Sequence, residues 1–288
     1  MLHHLANELY TRPPRSTLYH YTSLRGLMGI VETKTIWASE VKYLNDAEEL
    51  THLATWVRGE IALRLNKAVE PAATIMRQFE GWTRERLTNG HMLFVAAFTE
   101  KGNLLSQWRG YCPFGKGVSV GFSPEKILAI ASGAGFSLGR CVYDSTTHEK
   151  IVAQILDGVV EEATRQGPSP RKHPSQSYYH VFEELESTIL RIGALVKNKA
   201  FEEEAEWRLV SPIIENYVDA PIKYREGASM LIPYMEVQAR FGEDGEDLRH
   251  VYVGPTPTPN LSMVSVSRYL RRHVRVSEVR NSQSPYRG

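Results

Sequence analysis

The sequence predicts an α+β fold, and three observations carry that expectation. Strand-like and helix-like runs are segregated and irregularly ordered, without the sustained alternation of a doubly wound parallel sheet. Hydrophobic residues make up 42% of the 288 positions and charged residues 23%, the balance of a chain that buries a core. No fixed-period repeat or low-complexity tract divides it, so one domain over 1–288 is the simplest organisation. Within it we expect a helical segment at 47–88 and a helical insertion at 145–198.

The elements follow from local pattern. Leu18 to Thr22 alternates as a short strand does, and Ser23 then reads as the N-cap of a helix carrying Leu24, Leu27, Met28, Ile30 and Val31. A second strand spans Ile36 to Ser39, and Asn45-Asp46 reads as a turn. From Ala47 to Leu87 the spacing is helical, with Leu50, Leu53, Ala54 and Val57 on one face and Pro71 as the break. Met92 to Thr99 is apolar on both faces, as a central strand is. Lys101 to Lys116 is punctuated by glycine, and a strand (Gly117 to Phe122), a helix (Ser123 to about Ser132) and a strand (Phe136 to Tyr143) follow. Helices at Thr146 to Arg165 and about Gln176 to Asn198 flank a segment with Pro168, Pro170 and Pro174, expected as a mobile surface loop. Strands then recur at Trp207 to Pro212, Ile222 to Arg225, Met230 to Arg240 and Arg249 to Val253. A helix near Leu261 to Arg272 and a strand at Val274 to Val279 complete the series.

Composition excludes several classes of function. With 34 basic against 33 acidic residues the net charge is +1, too small for a constitutive polyanion binder. Cys112 and Cys141 supply neither a disulfide framework nor zinc spacing, which points to a reducing compartment. The longest apolar run, Met92 to Phe98, falls far short of the roughly 20 residues of a membrane span. Residues 1–15 lack the charged start and apolar core of a signal peptide. The expectation is a cytoplasmic protein without membrane contact.

Standard signatures fail on context. Gly115, Gly117 and Gly121 have the wrong last spacing for a dinucleotide fingerprint and lead into a strand. Gly135 to Gly139 matches G-x-S-x-G, but a helix precedes Ser137 and a strand follows, the reverse of a nucleophile elbow. No phosphate loop is present. The histidine pairs His3/His4 and His173/His180 lack metal spacing, so no metal ligand is assigned.

Three constellations survive. His20-Tyr21-Thr22 ends a strand before a capped helix. Ser106 to Tyr111 holds Trp108 and Arg109, an aromatic face and a planar guanidinium suited to rings and phosphate. Phe201 to Val210 runs an acidic stretch into an apolar strand, where Glu204 and Glu206 would share a face opposite Trp207 and Leu209. Each has a structural alternative: His20 bonded to a carbonyl, Trp108 in the core, Glu206 paired with Arg109 or Arg208.

Over nearly its whole length the chain resembles the bacterial family catalogued as domain of unknown function 2971. The resemblance rests on LYHYTSLRGLMGIVE, WASEVKYLND, FTEKGNLLSQWRGY, GKGVSVGF, CVYD, FEEEAEWRLV, LIPY, VGPT and SPYR. More distantly, His20-Tyr21, the strand Trp37-Ala38-Ser39 and a late glutamate entering a strand resemble, in order, ADP-ribosyltransferases of the His–Tyr–Glu type. That resemblance implies mixed, mostly antiparallel central sheets and NAD as co-substrate. It makes Glu206, or less favourably Glu204, the catalytic carboxylate, with His20 and Tyr21 as the other catalytic residues. His20, Tyr21, Thr22, Trp37, Ser39, Tyr43, Trp108, Arg109 and Arg287 become the NAD-binding set. Tyr21, Trp37 or Tyr43 would stack on nicotinamide, since the second strand has no unambiguous tyrosine. Arg109, then Arg287, would bind pyrophosphate.

The chemistry suits such a site, because nicotinamide leaves as a neutral molecule and the demand is to stabilise an oxocarbenium-like ribose. One carboxylate holding the 2′-hydroxyl near that charge does this. The resemblance thus implies an NAD-dependent ADP-ribosyltransferase, of the kind used as toxins or anti-phage effectors, modifying RNA, DNA or protein and kept with an antitoxin or defence-system partner. The competing expectation is a non-catalytic nucleic-acid-binding or sensor module, resting on Trp108-Arg109 and on Arg268, Arg271, Arg272 and Arg275 around His273. Under the enzymatic expectation, His20, Trp37 and Glu206 converge on one cleft.

Overall fold

A computed structural model describes residues 1–44, 49–113, 115–243 and 245–282, apart from the side chains of 49–51 and 87–89. The Asn45-Asp46 turn and the side chain of Leu50 fall outside what is described. The fold is α+β, with a mixed, mostly antiparallel sheet.

Most elements lie where local pattern places them. Strand β1 (Leu18–Ser23) leads into α2 (Leu24–Thr33), and the Ser23 hydroxyl caps it by accepting from Gly26 N at 3.0 Å. Strand β2 (Thr35–Glu40) follows, then α3 (Glu49–Leu65) and α4 (Ala72–Asn89), broken at Pro71 as expected. Strands β3 (Phe94–Thr99) and β4 (Gly117–Phe122) are buried along their length except at Ala97. Ser123 caps α6 (Pro124–Ala134), and Gly135 ends it at φ 67°, a left-handed conformation that glycine adopts without strain. Strand β5 (Ser137–Arg140) is shorter than the sequence suggests. Then come α7 (Ser145–Gln166), α8 (Tyr179–Gly193) and the strands β6 (Glu206–Val210), β7 (Lys223–Glu226), β8 (Leu231–Gln238) and β9 (Leu248–Val253). Helix α9 (Pro259–His273) precedes β10 (Val276–Asn281).

Two helices escape the pattern. Helix α1 (Leu2–Thr11) buries Leu2, Leu5 and Ala6, and His3 there bonds the Thr188 hydroxyl at 3.1 Å. Helix α5 (Leu105–Tyr111) lies inside the stretch that its glycines make read as loop. The proline-rich segment expected to be mobile is anchored, because Gln78 donates to Pro174 O and Ser177 Oγ and accepts from Tyr178 N.

The ten described strands form one branched sheet. One face packs on α2, α6 and α9 through Leu18, Ile36, Phe98, Phe122, Trp207 and Leu209. Beyond the other face lies a helical core in which α1, α3, α4, α7 and α8 join through Phe79, Trp82, Ile155 and Phe182, so both helical segments enter one packed layer. Val95, Val210, Leu190 and Leu195 stitch that layer to the sheet.

The branch point is the feature that positions a site. Strand β3 pairs fully with β6 along one edge, from Val95↔Val210 to Thr99↔Glu206. On its other edge it meets β2 only at Ser39↔Val95 and Glu40↔Phe94, and β1 only at Tyr19↔Thr99. Between those anchors β1 leaves to pair with β4 and β2 leaves to pair with β8. The anchors lie four residue steps apart on β3, from Val95 to Thr99, about 13 Å of edge at the usual strand rise.

Candidate functional site

His20 sits at this fork. Its Nδ1 lies 3.0 Å from Ala97 O, on the stretch of β3 that neither β1 nor β2 pairs, and its ring packs 5.6 Å from Phe98. Burial lowers its pKa below the ordinary histidine value, against the opposing effect of the Ala97 hydrogen bond. Thr22 shares the His20 face by strand alternation, and its carbonyl accepts from Cys112 Sγ.

Tyr21 points the other way, into a small aromatic core with Tyr19, Trp108 and Cys112. Its hydroxyl donates to Lys101 O at 2.7 Å and accepts from Leu104 N at 2.8 Å, and its ring meets Trp108 edge-on at 4.6 Å. Trp108 is 1% exposed and donates Nε1–H to Asn103 Oδ1 at 2.9 Å. Neither ring presents a face to a ligand, which corrects their assignment as stacking residues. The loop above them needs glycine at 102, where a Cβ would stand 2.6 Å from the Tyr19 ring and 2.8 Å from Tyr252. Arg109 is exposed on the last turn of α5. Arg287 lies outside the described residues.

Glu206 does not meet His20. Register puts Tyr19, Thr99 and Glu206 on one face of the sheet, and alternation puts His20 on the other. Both Glu206 oxygens are occupied: Oε1 accepts from Arg208 Nε at 2.7 Å, and Oε2 from Lys197 Nζ at 2.5 Å and Arg208 Nη2 at 3.2 Å. Glu204 Oε2 takes the same Lys197 ammonium at 2.6 Å. Burial alone would raise the Glu206 pKa, but the Arg208 and Lys197 charges overturn it and hold the carboxyl below the usual carboxylate range. The convergence of His20, Trp37 and Glu206 is therefore replaced by a buried ion network, the Arg208 pairing that the residue types also allowed.

Aromatic and polar groups gather instead on the second arm of the fork, where Trp37 is exposed and Ser39 and Tyr234 are buried. Trp37 is 43% exposed and lies on Tyr234, ring centroids 4.3 Å apart and planes 30° from parallel. Trp37 is paired across the ladder with Glu236, and Ser39 with Tyr234, so all four share one face. Arg225 of β7 reaches across β8 on that face and donates Nη2–H to Ser39 Oγ at 3.2 Å. Glu236 Oε2 takes Lys223 Nζ at 2.7 Å. Tyr43, exposed, lies in the 3-10 turn Val41–Tyr43 directly after β2. Sequence reading named Trp37 and Ser39 but missed Tyr234, Glu236 and Arg225, because only register brings β8 and β7 beside a strand nearly two hundred residues earlier.

Residues 107–209 match the family model described as Protein of unknown function (DUF2971). The match spans α5 to β6 and includes the Lys197–Glu206–Arg208 network, while β1, β2, β7 and β8 lie outside it. No curated protein and no solved structure matches the chain.

Other features fall into place around this face. Ser137 Oγ accepts from Arg191 Nη2 at 2.7 Å on β5, away from any elbow. Both cysteines are buried and neither forms a disulfide, no three His, Cys, Asp or Glu side chains among the described residues form a metal cluster, and no helix of the described residues is long and apolar enough to cross a membrane.

Beside Ser39, Glu40 is 1% exposed, its Oε2 accepts from Lys42 N at 3.2 Å, and its Oε1 has no hydrogen-bond partner among the described residues. Burial pushes this carboxyl up to about 6, only partly offset by Lys42. A raised folded value means that stability is full below the ordinary glutamate pKa and declines as pH rises through about 6. Glu40→Gln removes that decline, so at pH 8 the variant should gain about 2 kcal/mol relative to wild type compared with pH 4. Urea melts at both pH values check this, and equal differences would contradict it.

Proposed function

We propose that the chain binds NAD on the β2–β8–β7 face and transfers its ADP-ribose to an acceptor. The supporting observation is the exposed Trp37 ring stacked on the buried Tyr234, with a hydroxyl, a carboxylate and a guanidinium on the same face. In this reading Trp37 receives the nicotinamide ring. Glu236, directly across the ladder from Trp37, takes the carboxylate role and holds the ribose 2′-hydroxyl beside the charge developing at C1′. The C1′–N bond breaks, nicotinamide departs with the electron pair, and the acceptor's nucleophile bonds C1′ and gives up its proton. His20 ties β1 to β3 through Ala97 O, and Tyr21 holds the loop before α5.

Glu236→Gln should lower nicotinamide release by about 10²–10³, the size of losing one oriented electrostatic group. Its melting temperature should hardly change, because among the described residues Glu236 pairs only with an exposed lysine. Release of labelled nicotinamide, and label transfer to RNA, DNA and protein, check the reading and its acceptor. No release by wild type with any acceptor rejects it.

A second reading has one observation in its favour. Arg268, Arg271 and Arg272 are exposed at the end of α9, whereas Arg275 is consumed by Asp247 at 3.2 Å. A non-catalytic nucleic-acid binder using those three would lose affinity steeply with salt and release no nicotinamide.

A further inference from the structure

Arg225 is an unusual cation. It is partly buried, yet among the described residues no carboxylate forms an ion pair with it, and its Nε is buried without a hydrogen-bond partner. Among the described residues its one hydrogen bond is to the neutral Ser39 hydroxyl. Burial lowers its pKa below the ordinary arginine value, with Tyr234 opposing. Several other arginines that fold onto the protein are matched by carboxylates, Arg64 by Glu60 and Asp157, Arg208 by Glu206, Arg275 by Asp247 and Arg280 by Glu278, while Arg191 donates to Ser137 Oγ and lies over the Tyr10 ring. Removing a guanidinium from water without a counter-ion costs free energy that a bound anion would return.

The surroundings say which anion fits. Arg225 lies on the same sheet face as the Trp37–Tyr234 stack, and β2 and β7 are only two strand spacings apart, about 10 Å. An aromatic ring lying on Trp37 thus leaves its substituents within reach of Arg225 and Ser39. A planar guanidinium suits a phosphate oxygen, and the serine hydroxyl adds a neutral donor beside it.

We propose that Arg225, with Ser39, is the phosphate subsite of this face, and that the ligand is a phosphorylated aromatic molecule of the nucleotide class. This rests on the β2–β8–β7 face being the binding site, but not on any reaction there. It also moves phosphate recognition from Arg109 and Arg287 to a residue of the edge strand.

The test compares ADP with adenosine, titrated into the full chain and read by calorimetry. Wild type should bind ADP at least tenfold more tightly than adenosine. Arg225→Gln should abolish that preference while leaving adenosine affinity unchanged, and Trp37→Ala should weaken both ligands. Arg225→Lys, which keeps a cation but not its planar fork, should retain part of the preference. A wild type with no preference for ADP, or an Arg225→Gln chain that keeps it, overturns the proposal. If nicotinamide is never released but the ADP preference depends on Arg225, the transferase reading falls and the subsite stands. If nicotinamide is released and Arg225→Gln binds ADP as wild type does, the subsite falls and the transferase reading stands.

Discussion

Replacing Lys197 with methionine should destabilise the protein by about 3–5 kcal/mol, the cost of removing one partner from a buried charge network. The ammonium is 1% exposed and lies within 2.6 Å of carboxylate oxygens from both Glu204 and Glu206. Burial by itself would lower its pKa, yet the Glu206 and Glu204 carboxylates outweigh that and raise it above the ordinary lysine value. Lysine stabilisation of this sign is present at all pH values below its ordinary pKa and fades only in strong alkali. Acid is the sensitive side. Because Glu206 titrates below the usual carboxylate range, its contribution is intact above about pH 4.5 and is lost as pH falls through the depressed value. Denaturant melts of wild type and Lys197→Met at pH 7 check the magnitude, and a difference under 1 kcal/mol would refute it.

The same network changes what a Glu206 experiment means. Were Glu206 a catalytic carboxylate alone, Glu206→Gln would remove activity at unchanged melting temperature. With Lys197 and Arg208 both held by it, the substitution leaves two buried cations undercompensated, and a fall in stability accompanies any fall in activity. Glu236→Gln is free of that confusion.

Trp108→Ala should cost about 3–5 kcal/mol, the range for emptying a buried tryptophan site. The indole fills the space between Tyr21, Cys112 and the backbone at Gly117 and Gly254, where added Cβ atoms would lie 3.3 Å and 2.9 Å from it. Its loss removes the packing that seats α5 and the Asn103 contact that fixes the loop before it. Hydrogen exchange should show faster exchange over 101–112 first, with α7 and α8 unchanged. Uniform loss of protection, or none, would show that α5 is not seated by this residue.

Much of the architecture was legible in local pattern, for reasons specific to each element. Ser23 before an apolar 3–4 spacing defines α2, and the run of small and large apolar residues from Phe94 to Thr99 can only be a strand covered on both faces. Helix α5 was hidden because seven residues with glycine at 110 carry too little periodicity, and its stability comes from burying Gln107 and Trp108. Helix α1 was hidden because its apolar residues gain meaning only against α7 and α8. In the site, Trp37 and Ser39 showed themselves as aromatic and polar groups on a strand. Arg225 and Glu236 did not, since KYRE reads as a solvated edge and nothing local records that Arg225 lies across Tyr234. Glu206 misled for the complementary reason: an acidic run entering an apolar strand looks the same whether the carboxylate faces a ligand or a lysine from a preceding turn.

The fork in the sheet also constrains how the chain reaches this state during synthesis. Strand β1 is the innermost strand of its arm, yet β4, its main partner, appears about a hundred residues later, and β9, which pairs with β4, more than two hundred. The other arm behaves alike, with β2 waiting for β8. Strand β2 must therefore be carried without its main partner, or chaperoned, while the ribosome makes α7 and α8. Pairings this distant in sequence make for slow folding, and a nascent chain halted near residue 200 should display β2 as an exposed, association-prone edge.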